Sequence, residues 1–555
     1  MANEDQVTFP MDEPVDFVVI GSGSAGGIIA KELSTNGFKV VVLEQGKYRR
    51  ASDFTHDELS VMVFSELTGG NEMHRQTFRM DESEEAKPGQ QGPAAGYAVT
   101  VGGASVHFSG NFWRFREIDF NEHSVLGSIS GTNFADWPIS YAELEPYYTK
   151  VDWEVGVCGE PGPNDSFRSK PFPMPPMPIK SSGVLLERGA KKLGISSQVE
   201  PLAILSQPLN GRPGCISCGY CSFFGCEVGA KSSTLASMIP LAEASGNCEI
   251  RPESAVFRIE TNAEGRADEV LYYDADGNER SQKARAVIVS ANGAETPRLL
   301  LNSASESHPD GLANSSGFVG RNLMFNCHSN AGALFKHPLN DFKGVQVTRV
   351  VHEYYETDPK RGFYGGGGID ARPAIAAYPM VFAAFGGAPG QPTWGAEYKA
   401  NLEHDFTRTL GIFNGATSLP LDTNNITIDP NSKDIWGRPA IRVTYKDHDD
   451  DLAMAGFLQD RAMEILDAAG AEKAWREPFG HQSNGVHLLG TCRMGDDPES
   501  SVVDKNHRTH EIPNLFLCDG SSFVTSGRGQ PTMTIMALAF RAAEHIGNAA
   551  RNNEI

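Results

Sequence analysis

Four thiols stand within twelve residues of this chain, in the stretch CISCGYCSFFGC at positions 215 to 226. Thiolates are soft ligands, and Cys215, Cys218, Cys221 and Cys226 lie in a glycine-containing loop where they could converge on iron–sulfur or zinc. Structural zinc usually takes two Cys pairs separated by a longer loop, so the overlapping CxxCxxCx4C run favours an iron–sulfur cluster. The other five cysteines (Cys158, Cys248, Cys327, Cys492, Cys518) are scattered. They read as small buried residues, because disulfide frameworks belong to small secreted domains that lack a core. A second reactive candidate is His487, at the head of HLLGTCRMGDDP. Imidazole titrates near neutrality and serves as a general base without special tuning.

The stretch VDFVVIGSGSAGGIIAKELSTNGFKVVVLEQG, residues 15 to 46, carries a different chemistry. Val15 to Ile20 reads as a buried strand, and Gly21-Ser22-Gly23-Ser24-Ala25-Gly26 is GxGxxG. An amphipathic helix with Ile28, Ile29 and Leu33 follows, then a second strand from Lys39 to Leu43, closed by Glu44. Gly21 permits the tight turn, Gly23 lets backbone approach a pyrophosphate, and Gly26 lets helix and strand pack closely. The unpaired N–H groups at the helix start face the diphosphate. Glu44 can accept from ribose hydroxyls, and an acid there disfavours a 2′-phosphate. Strand, helix, strand and acid in register specify a dinucleotide site, although this motif alone does not separate FAD from NAD.

Three further segments separate them. VTVGGASVHFSGNFWRF (99–115) sets a Gly-Gly turn before a histidine. Residues 254 to 302 read as a hairpin, a hydrophobic strand and ANGAETPRLLLNS. EIPNLFLCDGSSFVTSGRGQPTMTIMALAFRAAEHI (511–546) reads as strand, Asp-Gly turn, loop and final helix. With the N-terminal cradle, this order of motifs resembles the glucose–methanol–choline (GMC) family of FAD-dependent oxidoreductases. The resemblance spans Val15–Gly46, Val99–Phe115, Ala255–Asn322 and Ser483–Ile546.

The resemblance implies an α/β fold: a Rossmann-like FAD-binding domain with an inserted antiparallel-sheet substrate domain. Residues 12–325 would be mainly the FAD domain, with a cysteine-rich insert near 205–232. Residues 326–482 would form the substrate domain, and 483–555 would return to the FAD domain. Alternating stretches such as NITIDP and GRPAIRVTY suit that antiparallel sheet. Val101-Gly102-Gly103 would pack near the isoalloxazine, Ser105 would also bind the cofactor, Val256 would contact adenine through its backbone, and Asp519-Gly520 would lie by the ribityl chain and diphosphate. His107 holds the position that is covalently bound to flavin in pyranose 2-oxidases; simple contact is the expectation here.

The implied activity is oxidation of an alcohol, plausibly a sugar or glycoside hydroxyl, with hydride leaving to flavin N5 and His487 as base. A second polar residue normally faces that histidine, and its position falls on Gln530, which hydrogen-bonds but cannot act as a base. His481 and Asn484, in GHQSNGVH, lie close enough in sequence to reach substrate. Catalytic subunits of bacterial FAD glucose dehydrogenase and glucoside 3-dehydrogenase resemble this chain and carry a three-iron cluster. Their cysteine pattern matches Cys215, Cys221 and Cys226-Glu227-Val228-Gly229-Ala230, with one extra residue here and Cys218 additional. Such a cluster would pass electrons to an acceptor protein or small subunit; an oxidase would use oxygen. Alternative readings are an oxygen-using pyranose or alcohol oxidase, a non-redox FAD-binding lyase and a flavin-binding electron-transfer module.

Composition narrows the partners. A chain of 555 residues needs more than one core, and 58 glycines indicate many tight turns. The formal charge of −22 opposes binding to nucleic acid or anionic lipid. No stretch reaches the ~18 apolar residues of a membrane span. The acidic start MANEDQVTFPMDEP is not a signal peptide. A cytoplasmic site is the default, with export in folded form beside a signal-bearing partner subunit as the alternative.

Overall fold

The strand Val15–Ile20 buries Phe17, Val18 and Val19 completely, as a parallel strand covered on both faces must. A computed structural model describes residues 6–68, 75–88, 94–373 and 378–555. In it, Val15–Ile20 lies between Val40–Leu43 and Glu279–Val289, parallel to both. Cys248–Arg251 extends the sheet beyond Val40–Leu43, and Leu515–Leu517 pairs with the end of Glu279–Val289. The first half of Glu279–Val289 instead runs antiparallel to Ala267–Tyr273, which pairs with Ala255–Thr261. This is the expected hairpin and hydrophobic strand. The helices Gly26–Thr35 and Thr532–Arg551 pack on the parallel strands, so the two ends of the chain share one core.

A second sheet of six strands is antiparallel throughout, in the order Lys473–Arg476, His328–Leu334, Thr409–Ala416, Gly367–Pro373, Arg349–Val351 and Gln198–Val199. Ala331, Ala333, Ile369, Ala371 and Ile412 point into a core shared with the helices Ser181–Lys192 and Asp449–Ala469. Since side chains alternate along a strand, His328, Asn330, Asp370, Arg372 and Phe413 project from the opposite face. Residues 326 to 482 do not form this sheet alone, because its edge strand comes from Gln198–Val199. The NITIDP and GRPAIRVTY stretches are strands, but they form the hairpin Asn425–Lys433 and Pro439–Thr444 of a separate four-stranded sheet. There Pro439–Thr444 runs parallel to Gln76–Arg79.

The loop before the last helix is fixed by a buried charge cluster. Arg528 is 1% exposed, and its Nη1 lies 3.0 Å from both Asp119 Oδ1 and Glu122 Oε2. Its Nη2 pairs with Glu122 Oε1, and its Nε donates to the Tyr355 carbonyl at 2.9 Å. Tyr355 and Tyr364 hydroxyls donate to Asp119 and Glu122, each at 2.8 Å. The cluster ties the loop carrying Gln530 to elements far away in sequence. Removing one member of a buried ionic group leaves uncompensated charge, at a cost of about 3–5 kcal/mol. Arg528→Met is therefore expected to lower the unfolding free energy by about that much in urea titrations. Arg321→Met, at the exposed pair with Asp422, is expected to cost under about 1 kcal/mol. Equal effects would contradict the assignment.

Candidate active site

The first wall of the main cavity is made of backbone. Gly21 has φ +92°, and a Cβ there would lie 2.5 Å from the Ser290 carbonyl oxygen; a Cβ on Gly26 would lie 2.0 Å from Gly21 O. A Cβ on Gly23 meets nothing closer than 3.8 Å and would project into open space. The following helix has no side-chain cap and no acid in its first turn, so its N–H groups remain available to an anion. The Gly102–Gly103 turn closes on this cradle. Gly102 N–H donates to Ser22 Oγ at 3.0 Å, and a Cβ on Gly103 would come within 2.8 Å of Gly23 Cα.

Glu44 is buried and accepts from Ser22 N–H, Ser22 Oγ and Gly46 N–H at 3.1, 2.7 and 2.9 Å. Burial pushes its carboxyl up, against the pull of those donors. Oε2 takes both Ser22 donors, and Oε1, which accepts only from Gly46 N–H, keeps lone-pair capacity for a ribose hydroxyl. Asp519 holds the other side of the floor: Oδ2 accepts from Thr296 Oγ1 and Asn292 N–H at 2.6 and 3.0 Å, and Oδ1 from Ser521 N–H at 2.7 Å.

One cavity joins these parts. It is lined by Gly21, Gly23, Ser24, Ala25, Glu44, Gly103, Val256, Asp519, Gly520 and His487, all named from the sequence. Gly26, Gly102, Ser105 and His107 do not line it. Gly26 and Gly102 shape its wall. Ser105 is turned inward, its Oγ donating to Gly102 O and accepting from Thr234 N–H. His107 gives its carbonyl to Phe223 N–H at 2.7 Å, and burial, then the charge of Lys231, push its imidazole down to about 4. Ser105 and His107 thus stand behind the turn, outside the lining of this cavity.

His487 lines the same cavity, half-buried, with Nδ1 3.1 Å from Asn326 Oδ1. Burial, and secondarily His328, push it down to about 4, so the ring is neutral at neutral pH. His328 is also pushed down by burial, and stacks on Phe413 at 5.4 Å. The Arg372 guanidinium lies 4.4 Å over the Phe413 ring and pairs with buried Asp370. Gln530 is not part of the lining; its neighbours Pro531 and Thr532 are. His481 is also outside it, with Nδ1 3.9 Å from Asp447 Oδ2, and Asn484 is exposed.

The sequence reading missed Asn326 and His328, which stand just before and at the start of the strand His328–Leu334 with no spacing signal. It also missed Tyr273, Trp436 and Arg438, which line the cavity near Val256. Trp436 and Tyr273 have parallel rings 5.9 Å apart, and the Arg438 guanidinium lies 3.6 Å over Phe257. Trp436 and Arg438 come from the tip of the Asn425–Thr444 hairpin, which the sequence placed in the substrate sheet.

An iron–sulfur cluster on the thiols finds no support in the structure. Among the described residues no three His, Cys, Asp or Glu side chains are grouped to hold a metal ion, and Cys215, Cys218, Cys221 and Cys226 are free thiols. The loop is organised around an ammonium group instead. Lys231 is 2% exposed, and its Nζ donates to the carbonyls of Cys221, Phe224 and Phe108 at 2.5, 2.7 and 2.9 Å. Cys215 Sγ and Cys226 Sγ accept from the N–H groups of Ser217 and Lys231 at 3.4 and 3.5 Å. Cys221 packs among Met174, Leu202, Ile204 and Leu205, and burial pushes its thiol up to about 12.

Residues 16–328 and 420–539 match the two parts of the GMC oxidoreductase family. The chain belongs to that family. It is 34% identical over 547 residues to the 2-methyl-1,2-propanediol dehydrogenase of Mycolicibacterium austroafricanum, covering 96% of this chain and 95% of that protein. It is 30% identical to the fructose dehydrogenase large subunit of Gluconobacter japonicus, covering 96% and 98%. A formate oxidase structure from Aspergillus oryzae RIB40 superimposes with a TM-score of 0.67 at 16% identity, covering 98% and 100%. That structure shares the fold. The chain is thus an oxidoreductase, and the glycine cradle with its open space at Gly23 fits the FAD of this family. No helix among the described residues is long and apolar enough to cross a membrane.

Gly23→Val would fill the space that the cradle leaves open. The variant is expected to purify without the yellow flavin absorption while retaining wild-type far-ultraviolet circular dichroism. Full flavin content in the folded variant would contradict the assignment of the cradle.

Proposed function

We propose that this GMC oxidoreductase oxidises a hydroxyl of a small alcohol or sugar to the carbonyl, with His487 as the base. The observation that carries the reading is a neutral, half-buried imidazole lining the same cavity that contains the glycine cradle. A neutral ring can accept a proton; a protonated one cannot. Gly21 to Ala25, Glu44, Gly103, Val256, Asp519 and Gly520 would hold FAD, which supplies the two-electron acceptor when bound. Gln530 would orient the substrate oxygen from the loop that Arg528 anchors.

The six-stranded sheet supports a hydroxyl-rich substrate. Its outward face offers His328, Asn330, Asp370 and Arg372 together with the Phe413 ring, a mixture of hydrogen-bonding groups and one apolar surface. The relatives named for 2-methyl-1,2-propanediol, fructose and gluconate act, by name, on hydroxyl-bearing molecules. One of them is named as a large subunit, which supports a protein partner as electron acceptor. An oxidase reading is supported by relatives such as the paromamine 6'-oxidase of Streptomyces fradiae, 28% identical.

His487→Ala is expected to lower the rate of anaerobic flavin reduction by substrate about 10²–10⁴-fold, the usual contribution of a general base, with flavin content unchanged. Reduction at the wild-type rate would remove His487 from the mechanism. The pH profile provides a second check. Because the folded-state value is depressed to about 4, activity should persist below pH ~6.5, where an ordinary histidine protonates, and fail only as pH falls toward 4. An acid limb at or above 6.5 would contradict the buried, neutral base.

A further inference from the structure

We propose that Asn326 is a positioning residue that fixes His487 in the tautomer with the proton on Nδ1, leaving Nε2 as the proton acceptor. The inference rests on the base reading above and goes beyond it by assigning the reacting nitrogen and the group that selects it. Asn326 is 3% exposed, with φ +62°, a backbone region that asparagine tolerates better than most residues. Its amide cannot turn freely. Nδ2 faces three carbonyl oxygens, those of Ala416, Ser526 and Gly527, at 3.2, 3.3 and 3.5 Å. Turning the amide over would set Oδ1 against those three acceptor oxygens, lone pair to lone pair, and remove the donor it gives them.

Oδ1 must therefore face His487, and an amide oxygen only accepts. At 3.1 Å from Oδ1, Nδ1 has to carry the proton. In a neutral ring the other nitrogen, Nε2, then has the free lone pair. When the substrate O–H bond breaks, its proton goes to Nε2 and its electron pair stays on oxygen. The imidazolium formed keeps its Nδ1–H on Asn326, and that hydrogen bond becomes charge-assisted and stronger. The carbonyls of Ser526 and Gly527 belong to the loop held by Arg528, so the tautomer of the base is tied to the same buried cluster that positions Gln530. The Asn326 carbonyl is itself held by Gln482 Nε2 at 3.3 Å.

The charged surroundings are consistent with this assignment. The titratable group acting on His487 is His328, from the adjoining strand His328–Leu334, and His328 in turn feels Asp447 and Arg372. No carboxylate in that set is hydrogen-bonded to Nδ1, so the neutral amide is the only group that selects the tautomer there, among the described residues.

Nitrogen-15 NMR of the flavin-loaded protein labelled at histidine tests this without any variant at Asn326. The His487 signals, identified by their loss in His487→Ala, should show a protonated Nδ1 and an unprotonated Nε2 at neutral pH. Asn326→Ala should mix the tautomers and lower flavin reduction about 10-fold to 100-fold. Asn326→Asp should keep the Nδ1–H form but move the acid limb of the pH profile upward by about one unit, because a carboxylate favours the imidazolium. A merely structural role would lower both rates without moving either the tautomer or the limb. Protonated Nε2 in the wild type, with His487→Ala still strongly impaired, would overturn the role of Asn326 alone. An unimpaired His487→Ala would overturn the base reading itself.

Discussion

The backbone contact between two glycine turns is the constraint on which the rest of this structure depends. With Gly103 close against Gly23 and Gly102 bonded to Ser22, the turn has no room for a side chain at Gly102 or Gly103. At these two turns the cavity wall is therefore main chain, and the donors it offers there are N–H groups at the start of a helix. An acidic protein can bind a diphosphate on such a surface, because the field comes from oriented peptide dipoles and not from net charge. The net charge of −22 and a phosphate-binding cradle are thus compatible.

Residues around this cavity come from distant parts of the chain, and buried polar contacts hold them in register. Asp519 clamps the turn after Leu515–Leu517 to the helix Asn292–Asn302 through Thr296 and Asn292. Arg528, with Asp119 and Glu122, sets the loop before the last helix. The carbonyls of that loop orient Asn326, which orients His487. Each link leaves a buried charge or polar atom unpaired if it moves, so a displacement would be costly.

The parts legible in the sequence were those whose chemistry is local. GSGSAG between an apolar strand and an amphipathic helix contains its own geometry, and so does the Asp519-Gly520 turn ahead of the final helix. The place of His487 on the cavity was legible through its neighbours and through family resemblance. Asn326 was not, because its partners lie 90 to 201 residues away and no spacing encodes them. The hairpin ending in Trp436 and Arg438 showed strand alternation correctly, but alternation does not say which sheet a strand joins. The cysteine run was silent on its loop for a related reason. Spacing gives the reach of four thiols, while the fold turned the loop's carbonyls inward onto Lys231, five residues beyond Cys226. A lysine that close to the cluster was the available signal.

A crystal structure of the flavin-loaded protein with a hydroxyl-bearing substrate or unreactive analogue tests the account most directly. The account predicts flavin in the cavity along Gly21 to Ala25, and the ligand hydroxyl oxygen within hydrogen-bonding distance of His487 Nε2. A hydroxyl held elsewhere, by His481 or His107, with His487 turned away from the ligand, would contradict it.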